Sequence, residues 1–260
     1  MTLINLSSVE LSLTELCNRT CSFCPRHDAS IYPNRNLNMS IDTVTRIRDQ
    51  LLINNYKEEV SLCGYGEPLL HPDILAISKI LSVFNLKIIT NGDVLIRHNN
   101  SVSADALLGA GVSNIVISDY DNKNQYQYLA DTYKQITIRN RYDDGTDRYK
   151  EYNFTNRGGS MWKIKNPIKN PCYIPTYNIT IDWDGSVLPC SMDWTKIDIY
   201  GNVNESTLYD IWHGYAFSTL RKQLLKGNRD IAAVCKVCNI NGQLHGSDAA
   251  ESWNLIYKEL

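Results

Sequence analysis

Short apolar runs alternate with amphipathic segments over the first half of the chain. The apolar runs have the length and the β-branched content of strands. The segments between them repeat apolar residues at helical spacing, as Ile41, Val44 and Ile47 do after the potential N-cap Ser40. The predicted strands are residues 9–13, 59–62, 86–90, 113–117 and 135–139. The predicted helices between them are residues 41–54, 74–84, 104–108 and 123–133.

This alternation predicts a parallel sheet with right-handed crossovers. Five strand–helix units are fewer than the eight of a closed barrel, so we expect an α/β fold with a partial, open TIM-like (β/α) barrel. In such a fold the active site lies at the carboxyl ends of the strands. The loop that follows the first predicted strand is therefore the first place to look for chemistry.

The second half of the chain has a different pattern. Periodicity is lost over residues 140–171, which predicts a domain junction. Two short strands, 177–182 and 186–189, then flank the hairpin signal Asp184-Gly185, and helices are predicted at 208–212 and 217–226. We therefore expect a core domain over residues 1–150 and a small domain of β-hairpin plus helix over 151–260, ending in a polar tail.

Composition narrows the class of protein. The 26 Lys and Arg residues nearly balance the 28 Asp and Glu residues, so nothing favours nucleic acid or an anionic membrane as a partner. No apolar run approaches the roughly 20 residues of a membrane span, and no signal peptide is evident, so we expect a soluble, cytoplasmic protein. Eight cysteines in that compartment indicate metal or redox chemistry.

Seven of the cysteines form two sets. Cys17, Cys21 and Cys24 follow the first predicted strand directly. A 4Fe–4S cluster takes four ligands, so three thiols would leave one iron open to a ligand that is not protein. The alternatives are a zinc site with His27 as the fourth ligand, or packed free thiols.

The second set contains four cysteines, which on residue types alone predict zinc or a cluster about equally. Its members are Cys172, Cys190, Cys235 and Cys238. The eighth cysteine, Cys63, is expected to pack in its strand as an inert thiol.

The C-x-x-x-C-x-x-C spacing with Phe23 before the last cysteine resembles the radical S-adenosylmethionine (SAM) superfamily, and Gly64-Tyr65-Gly66-Glu67-Pro68 resembles its Gly-Gly-Glu-Pro motif. The resemblance implies that SAM fills the open iron and is cleaved to a 5′-deoxyadenosyl radical. It also implies that Phe23 packs near the adenine and that the glycine turn and its acid hold the SAM ammonium. The implied SAM contacts are Phe23, Gly64, Tyr65, Gly66, Glu67, Thr90, Asn91 and Ser118.

The second cysteine set is similar to the auxiliary-cluster modules of that family, called SPASM and Twitch. No cysteine follows Cys238, so the shorter Twitch form with one fully ligated cluster is the form implied. The expected cofactors are then two 4Fe–4S clusters and SAM. Flavodoxin or ferredoxin would be the external electron donor.

Asn156-Arg157-Gly158-Gly159 resembles a motif of the Twitch-type dehydrogenases of aminoglycoside biosynthesis, as do residues 65–70, 90–93, 210–213 and 217–227. The resemblance places Arg157 beside the substrate hydroxyl. Arginine is a poor base, so we predict that Arg157 orients and polarises the hydroxyl; the alternative is an ordinary arginine in a turn. Met192 and Ile89 depart from the acid and the tyrosine of those dehydrogenases, so the same substrate is not implied.

The predicted function is therefore oxidation of a secondary alcohol of a sugar, aminocyclitol or related polyol to a ketone, with the auxiliary cluster accepting an electron. A small-molecule substrate is favoured over a peptide. Two alternatives stay open. One is a radical SAM maturase that epimerises or cross-links a ribosomal peptide, although little chain precedes Cys17 for a peptide-recognition domain. The other is a zinc-stabilised binding module without enzymatic activity.

Overall fold

A computed structural model describes residues 2–97, 101–142, 155–166 and 168–259. Eight strands form one open sheet in the order β5-β4-β3-β2-β1-β6-β7-β8. Strands β1 to β6 run parallel, and β7 and β8 run antiparallel to their neighbours. The strands are Ser8–Leu11, Glu59–Leu62, Asn85–Thr90, Asn114–Asp119, Ile136–Asn140, Asn178–Ile181, Ser186–Leu188 and Gly201–Asn202.

Helices connect the parallel strands and cover one side of the sheet. The Ser40 hydroxyl accepts a hydrogen bond from the Thr43 amide, which confirms the predicted N-cap of the first helix. In chain order, α1 to α9 are Ile41–Ile53, Ile74–Leu81, Ala104–Gly109, Gln127–Thr132, Ile174–Tyr177, Leu208–His213, Tyr215–Leu225, Ala233–Val237 and Ser247–Glu259. None of the described helices is both long and apolar enough to cross a membrane.

Side chains alternate between the two faces of each strand, and this alternation positions the site. On β1, Val9 and Leu11 are fully buried in the main apolar core. Glu10 lies on the other face, opposite Ser61 of β2 and Thr180 of β6. A row of polar side chains therefore crosses the face of the sheet that is turned away from the core.

The predicted partial barrel is confirmed, and the five predicted core strands lie within two residues of the observed ones. The predicted hairpin also forms, but its first strand, β6, pairs in parallel with β1. The sheet of the core thus continues into the second half of the chain. The predicted boundary at residues 150 and 151 lies outside the described residues, so the division into two domains stays a prediction.

Two local predictions were wrong. The predicted polar tail contains helix α9, which buries Ala250 and Trp253 and whose Trp253 indole donates to the Thr176 carbonyl. Ala250, Trp253 and Tyr257 recur at helical spacing, so the sequence does contain the amphipathic pattern of this helix. Gly109 was expected to end α3 but is its last helical residue, and the chain leaves the helix at Gly111, whose φ is +94°.

Candidate active site

The first cysteine set lies on the loop after β1, and its three thiols are half-buried. The Asn34 side chain holds this loop, since its Oδ1 accepts from the Cys17 amide at 2.9 Å and its Nδ2 donates to the Cys17 carbonyl at 3.1 Å. Arg26 donates to the same Asn34 oxygen at 3.0 Å and to the Tyr65 carbonyl at 2.6 Å. The loop is therefore fixed to the turn that follows β2.

The three thiols of this set are close enough to act on one another. Burial raises the pKa of Cys21 to about 11, and the neighbouring Cys24 and Cys17 add to the effect. Cysteine binds iron as the thiolate, and a bound cationic centre relieves this mutual repulsion. The donor set thus suits an iron–sulfur cluster, which would be held by Cys17, Cys21 and Cys24.

The turn after β2 needs both of its glycines. Gly64 has φ +117°, and a Cβ there would lie 2.7 Å from the Ser12 Cβ. A Cβ on Gly66 would overlap the carbonyl oxygen of Thr14. The carbonyl oxygens of Gly64 and Gly66 accept no hydrogen bond from any residue that the structure describes. They are therefore available to a bound donor.

Two residues of the same turn are engaged with protein. The buried Glu67 carboxylate accepts from the Thr90 hydroxyl at 2.6 Å and from the Asn91 amide at 2.8 Å, and burial raises its pKa to about 7. The Tyr65 ring is buried against Tyr32 and Trp194. Glu67 thus fixes the end of β3, and the Tyr65 ring packs into an aromatic cluster.

One cavity of about 330 Å³ brings the first cysteine set and the predicted SAM contacts together. Its volume is at the lower end of the range for small-molecule sites. The predicted residues that line it are Cys17, Cys21, Phe23, Cys24, Gly64, Tyr65, Gly66, Glu67, Thr90, Asn91, Ser118 and Arg157. Phe23 forms the aromatic wall with Tyr120, and their ring centroids are 5.2 Å apart.

The second cysteine set gathers thiols from three separate segments. Burial raises the pKa of Cys190 well above its ordinary value, and Cys235, Cys238 and Cys172 raise it further, in that order. The four thiols therefore act on one another, and four cysteines are the donor set of a fully ligated cluster. Among the described residues, no three His, Cys, Asp or Glu side chains have the geometry to hold a single metal ion.

Arg229 organises this second set and was not predicted from the sequence. Its guanidinium donates to the carbonyl oxygens of Asn170 at 3.1 Å, Ile240 at 2.8 Å and Asn241 at 2.7 Å. It thereby joins the segment that enters Cys172 to the segment that leaves Cys238. Burial raises the pKa of Cys172, Cys235 and Cys238, and the charge of Arg229 acts in the opposite direction on all three.

The turn with Arg157 lies between the two cysteine sets. Asn156 and Asn239 exchange hydrogen bonds of 2.8 and 3.1 Å between amide groups and side-chain oxygens, which fixes the turn beside Cys238. Arg157 itself has φ +48°, a strained angle for a residue with a side chain. Its guanidinium lines the cavity, and its charge partly offsets the burial that raises the pKa of Cys24. The cavity is therefore bounded by the first cysteine set, by Arg157, and by Ser191 and Met192, which directly follow Cys190 of the second set.

Several lining residues were not predicted. Glu10 and Cys63 lie on the inward face of β1 and at the end of β2, so the alternation of strand side chains could have indicated them. Cys63, expected to be an inert thiol within its strand, is half-buried at the cavity wall. The other unpredicted residues that the site uses are Arg19, Arg26, Tyr120, Arg139, Arg141 and Ser191.

Comparison with known proteins agrees with this geometry. Residues 11–156 match the family model of the Radical SAM superfamily, and residues 172–239 match SPASM, an iron–sulfur cluster-binding domain. The chain is 26% identical over 244 residues to the S-adenosyl-L-methionine-dependent 2-deoxy-scyllo-inosamine dehydrogenase of Niallia circulans, covering 90% of this chain and 92% of that protein. It is 33% identical to a GTP 3′,8-cyclase of Synechocystis sp. over 52% of this chain and 38% of that enzyme.

The fold is shared with a solved structure, that of BtrN in complex with AdoMet and 2-DOIA, with a TM-score of 0.77 and 24% identity. That match covers 94% of this chain and 97% of BtrN. The two family models indicate two 4Fe–4S clusters and SAM as the cofactors, which confirms that prediction. Since the match to the Radical SAM family model, over residues 11–156, spans more than half of the sequence, the chain belongs to the radical SAM superfamily.

Proposed function

We propose that this protein is a dehydrogenase that oxidises a secondary alcohol of a sugar, aminocyclitol or related polyol to a ketone. The observation that carries the proposal is one cavity lined by Cys17, Cys21 and Cys24, by Arg157, and by Ser191 and Met192, which directly follow Cys190 of the second set. An alcohol held there would lie beside the group that takes its hydrogen atom and near the redox centre that accepts its electron. The similarity over nearly the full length to an enzyme named as a dehydrogenase supports the same reaction class.

The residues that would hold the cofactors follow from their positions. Cys17, Cys21 and Cys24 would hold the first cluster, and Cys172, Cys190, Cys235 and Cys238 the second. When bound, SAM and the clusters would supply a 5′-deoxyadenosyl radical that takes the carbinol hydrogen atom and an acceptor for the electron left behind, while the hydroxyl proton is lost to solvent. Flavodoxin or ferredoxin would deliver the starting electron.

For SAM, we assign the ammonium group to the carbonyl oxygens of Gly64 and Gly66. Phe23 would pack on the adenine, and the hydroxyl and amide groups at the ends of β3 and β4, on Thr90, Asn91 and Ser118, would bind its polar groups. Glu67 would act mainly by holding Thr90 and Asn91 in place, given its hydrogen bonds to both. Tyr65 would contribute through the position of its backbone.

Arg157 would orient and polarise the substrate hydroxyl. A guanidinium stays protonated at any working pH, so Arg157 donates hydrogen bonds and is not the base. Its Nε is buried and has no hydrogen-bond partner among the described residues. A buried donor without a partner costs roughly 1–3 kcal/mol. A hydroxyl bound beside Arg157 would recover part of that cost.

We also propose that residues 151–260 form a Twitch-type auxiliary domain on the core of residues 1–150. A separate apolar cluster around Leu220, Leu224 and Val234 includes Cys172 and Cys235, which supports a small unit built about the second cluster. The hairpin β6–β7 joins this unit to the core sheet.

An anaerobic assay with candidate polyols tests the reaction. The reconstituted enzyme is expected to be brown, to carry about eight irons per chain, and to form one 5′-deoxyadenosine per ketone. The variant R157Q should keep its iron and its SAM cleavage but lose ketone formation. A redox-neutral product such as an epimer would contradict the proposal, as would modification of a peptide or a colourless protein that contains zinc.

A further inference from the structure

Arg229 is a buried cation beside the second cysteine set, and no carboxylate of a described residue pairs with it. The residue is 4% exposed, and its guanidinium donates to backbone carbonyl oxygens. These carbonyls belong to Asn170, Pro171, Ile240 and Asn241. None of the ion pairs within the described residues includes Arg229. Because a buried charge without a counter-charge is costly, the position of Arg229 needs an explanation.

A second buried arginine in the same half of the chain is stabilised in a different way. Arg221 is fully buried and also donates to backbone carbonyl oxygens. Its guanidinium lies over the rings of Trp253 and Trp212, 4.2 and 4.3 Å from their centroids, so aromatic faces stabilise its charge. Arg229 lies over no aromatic ring of the described residues. Its charge therefore lacks both of the usual protein partners.

The cluster that the second set would hold supplies the missing counter-charge. Arg229 binds the carbonyl of the residue before Cys172 and that of Ile240, whose amide donates to the Cys238 Sγ at 3.4 Å. The guanidinium is therefore fixed to the backbone on both sides of the set. Cysteine binds a cluster as the thiolate, and four thiolates outweigh the positive charge of a 4Fe–4S core. The loaded site is thus an anion beside a buried cation.

We propose that the buried charge of Arg229 raises the reduction potential of the second cluster and makes that cluster a better acceptor of one electron. Reduction adds a negative charge to the cluster, so a nearby cation stabilises the reduced form more than the oxidised form. The effect is strong because Arg229 is shielded from water and salt. Arg229 does not line the active-site cavity, so its role is to tune the cluster and not to bind substrate. This property goes beyond the proposed function, since it holds for any substrate that supplies the electron.

Two other charged residues near the set differ from Arg229 in sign or in burial. Asp198 accepts from the Val234 amide at 3.1 Å, and its charge acts on Cys235 in the direction opposite to that of Arg229. Lys236 directly follows Cys235, but its side chain is 60% exposed and lies 3.9 Å from the Asp230 carboxylate. Water and salt screen an exposed charge, so Lys236 should have little effect on the potential. The chain thus contains a control for the sign of the charge and a control for its burial.

Anaerobic protein-film voltammetry of the reconstituted enzyme, without SAM or substrate, measures the potential directly. The wave that persists in the variant C17A/C21A/C24A belongs to the second cluster. The variant R229Q should shift the one-electron reduction equilibrium of this cluster at least about tenfold toward the oxidised form, which lowers its potential by about 59 mV. The control K236Q should shift the equilibrium by less than about twofold. The variant D198N removes the opposing charge and should raise the potential.

The variant R229K separates the charge of Arg229 from its hydrogen bonds. Lysine keeps the charge but not the planar fork that reaches several carbonyls at once. The reduction equilibrium of R229K should therefore stay within about twofold of that of the wild-type enzyme, even if chelator removes the cluster more readily. A purely structural role would lower the potential in R229K and R229Q alike. If R229Q does not hold its second cluster, the potential of R229K decides between the two roles.

A wild-type potential in R229Q would overturn the inference, as would a potential in R229K that falls as far as in R229Q. A shift in K236Q as large as that in R229Q, or an unchanged potential in D198N, would also overturn it, because burial and sign would then not matter. The measurement needs no substrate, so it is independent of the proposed reaction. A shifted potential without ketone formation would reject the dehydrogenase alone, whereas ketone formation with an unshifted potential would reject the role of Arg229 alone.

Discussion

The two cysteine sets differ in how the protein surrounds them. Cys17, Cys21 and Cys24 come from one short loop, are half-buried and face the cavity. In the second set Cys172, Cys235 and Cys238 are each at most 9% exposed, and Cys190 is half-buried. The first set is open toward a ligand, and the second is enclosed by protein at three of its four thiols. This contrast matches a site that binds SAM and a site that only exchanges electrons.

The cations that brace the two sets differ in the same way. Arg19, within the first loop, pairs with Asp93 and Asp121 at the ends of β3 and β4, where all three side chains are 16–30% exposed. Arg229, at the second set, is 4% exposed and binds backbone carbonyls. The open loop is thus braced by ion pairs near solvent, and the enclosed set by one buried guanidinium.

The largest expected effect comes from removing one thiol of each set. The variant C190A should lose about half of the iron and about 4 kcal/mol of unfolding free energy, because its cluster would cross-link three distant segments. The variant C21A should lose a similar share of iron but less than about 1 kcal/mol, since its ligands lie within one loop. Iron analysis and anaerobic denaturant titration measure both. Equal destabilisation would refute the contrast.

The next effect concerns the brace of the enclosed set. The variant R229M removes charged hydrogen bonds to three carbonyls and leaves these carbonyls without their donor. We expect a loss of about 3 kcal/mol and a second cluster that is released more readily to chelator. The control is R48Q, on the surface of α1, which should change stability by less than about 0.5 kcal/mol. If R229M had the stability and the iron content of the wild-type protein, the second cysteine set would not depend on Arg229 for its arrangement.

The sequence predicted the open set more completely than the enclosed one, for a physical reason. The first loop and the glycine turn after β2 are each local in the sequence. The strand–helix alternation places both at the carboxyl ends of the parallel strands. Arg229 and Arg26 could not be predicted, because the carbonyl groups that they bind converge only after folding. The pairing of β6 with β1 was missed for the same reason, since it joins residues far apart in the chain. Arg139 lies at the end of a predicted strand and could have been singled out.

A smaller, pH-dependent effect distinguishes two acids near the open set. Burial raises the pKa of Glu67 to about 7, above its ordinary 4.5. Its stabilising contribution is therefore complete below pH 4.5 and is lost as the pH rises through 7. For Asp93, the ion pair with Arg19 and the Tyr126 hydrogen bond outweigh burial and lower the pKa below its ordinary 3.8. Asp93 is thus charged throughout the neutral range.

The loss of unfolding free energy that E67Q causes, relative to the wild-type protein, should accordingly become smaller as the pH rises from 6 to 8.5. The variant D93N should cost about 1.5 kcal/mol at every pH in that range. Each comparison is the difference in unfolding free energy from the wild-type protein in the same buffer. If the loss of unfolding free energy in E67Q stays constant with pH, or that in D93N varies with pH, the pKa values of these acids are not shifted in the directions given above.

No loss of stability is expected at Arg157, between the two sets. The variant R157G removes the strain of a side chain at φ +48°, worth roughly 1 kcal/mol, but gains flexibility in the unfolded chain of similar size. It also removes the buried Nε that has no partner among the described residues, so its free energy of unfolding should stay the same or rise. Ketone formation should nevertheless fall by a factor of at least about 100, because the hydroxyl loses its donor. The variant R157K, which keeps the charge but not the fork, should show an intermediate rate. If R157G instead lost as much stability as R229M, Arg157 would be a second structural brace. The cavity would then lack a group that positions the alcohol.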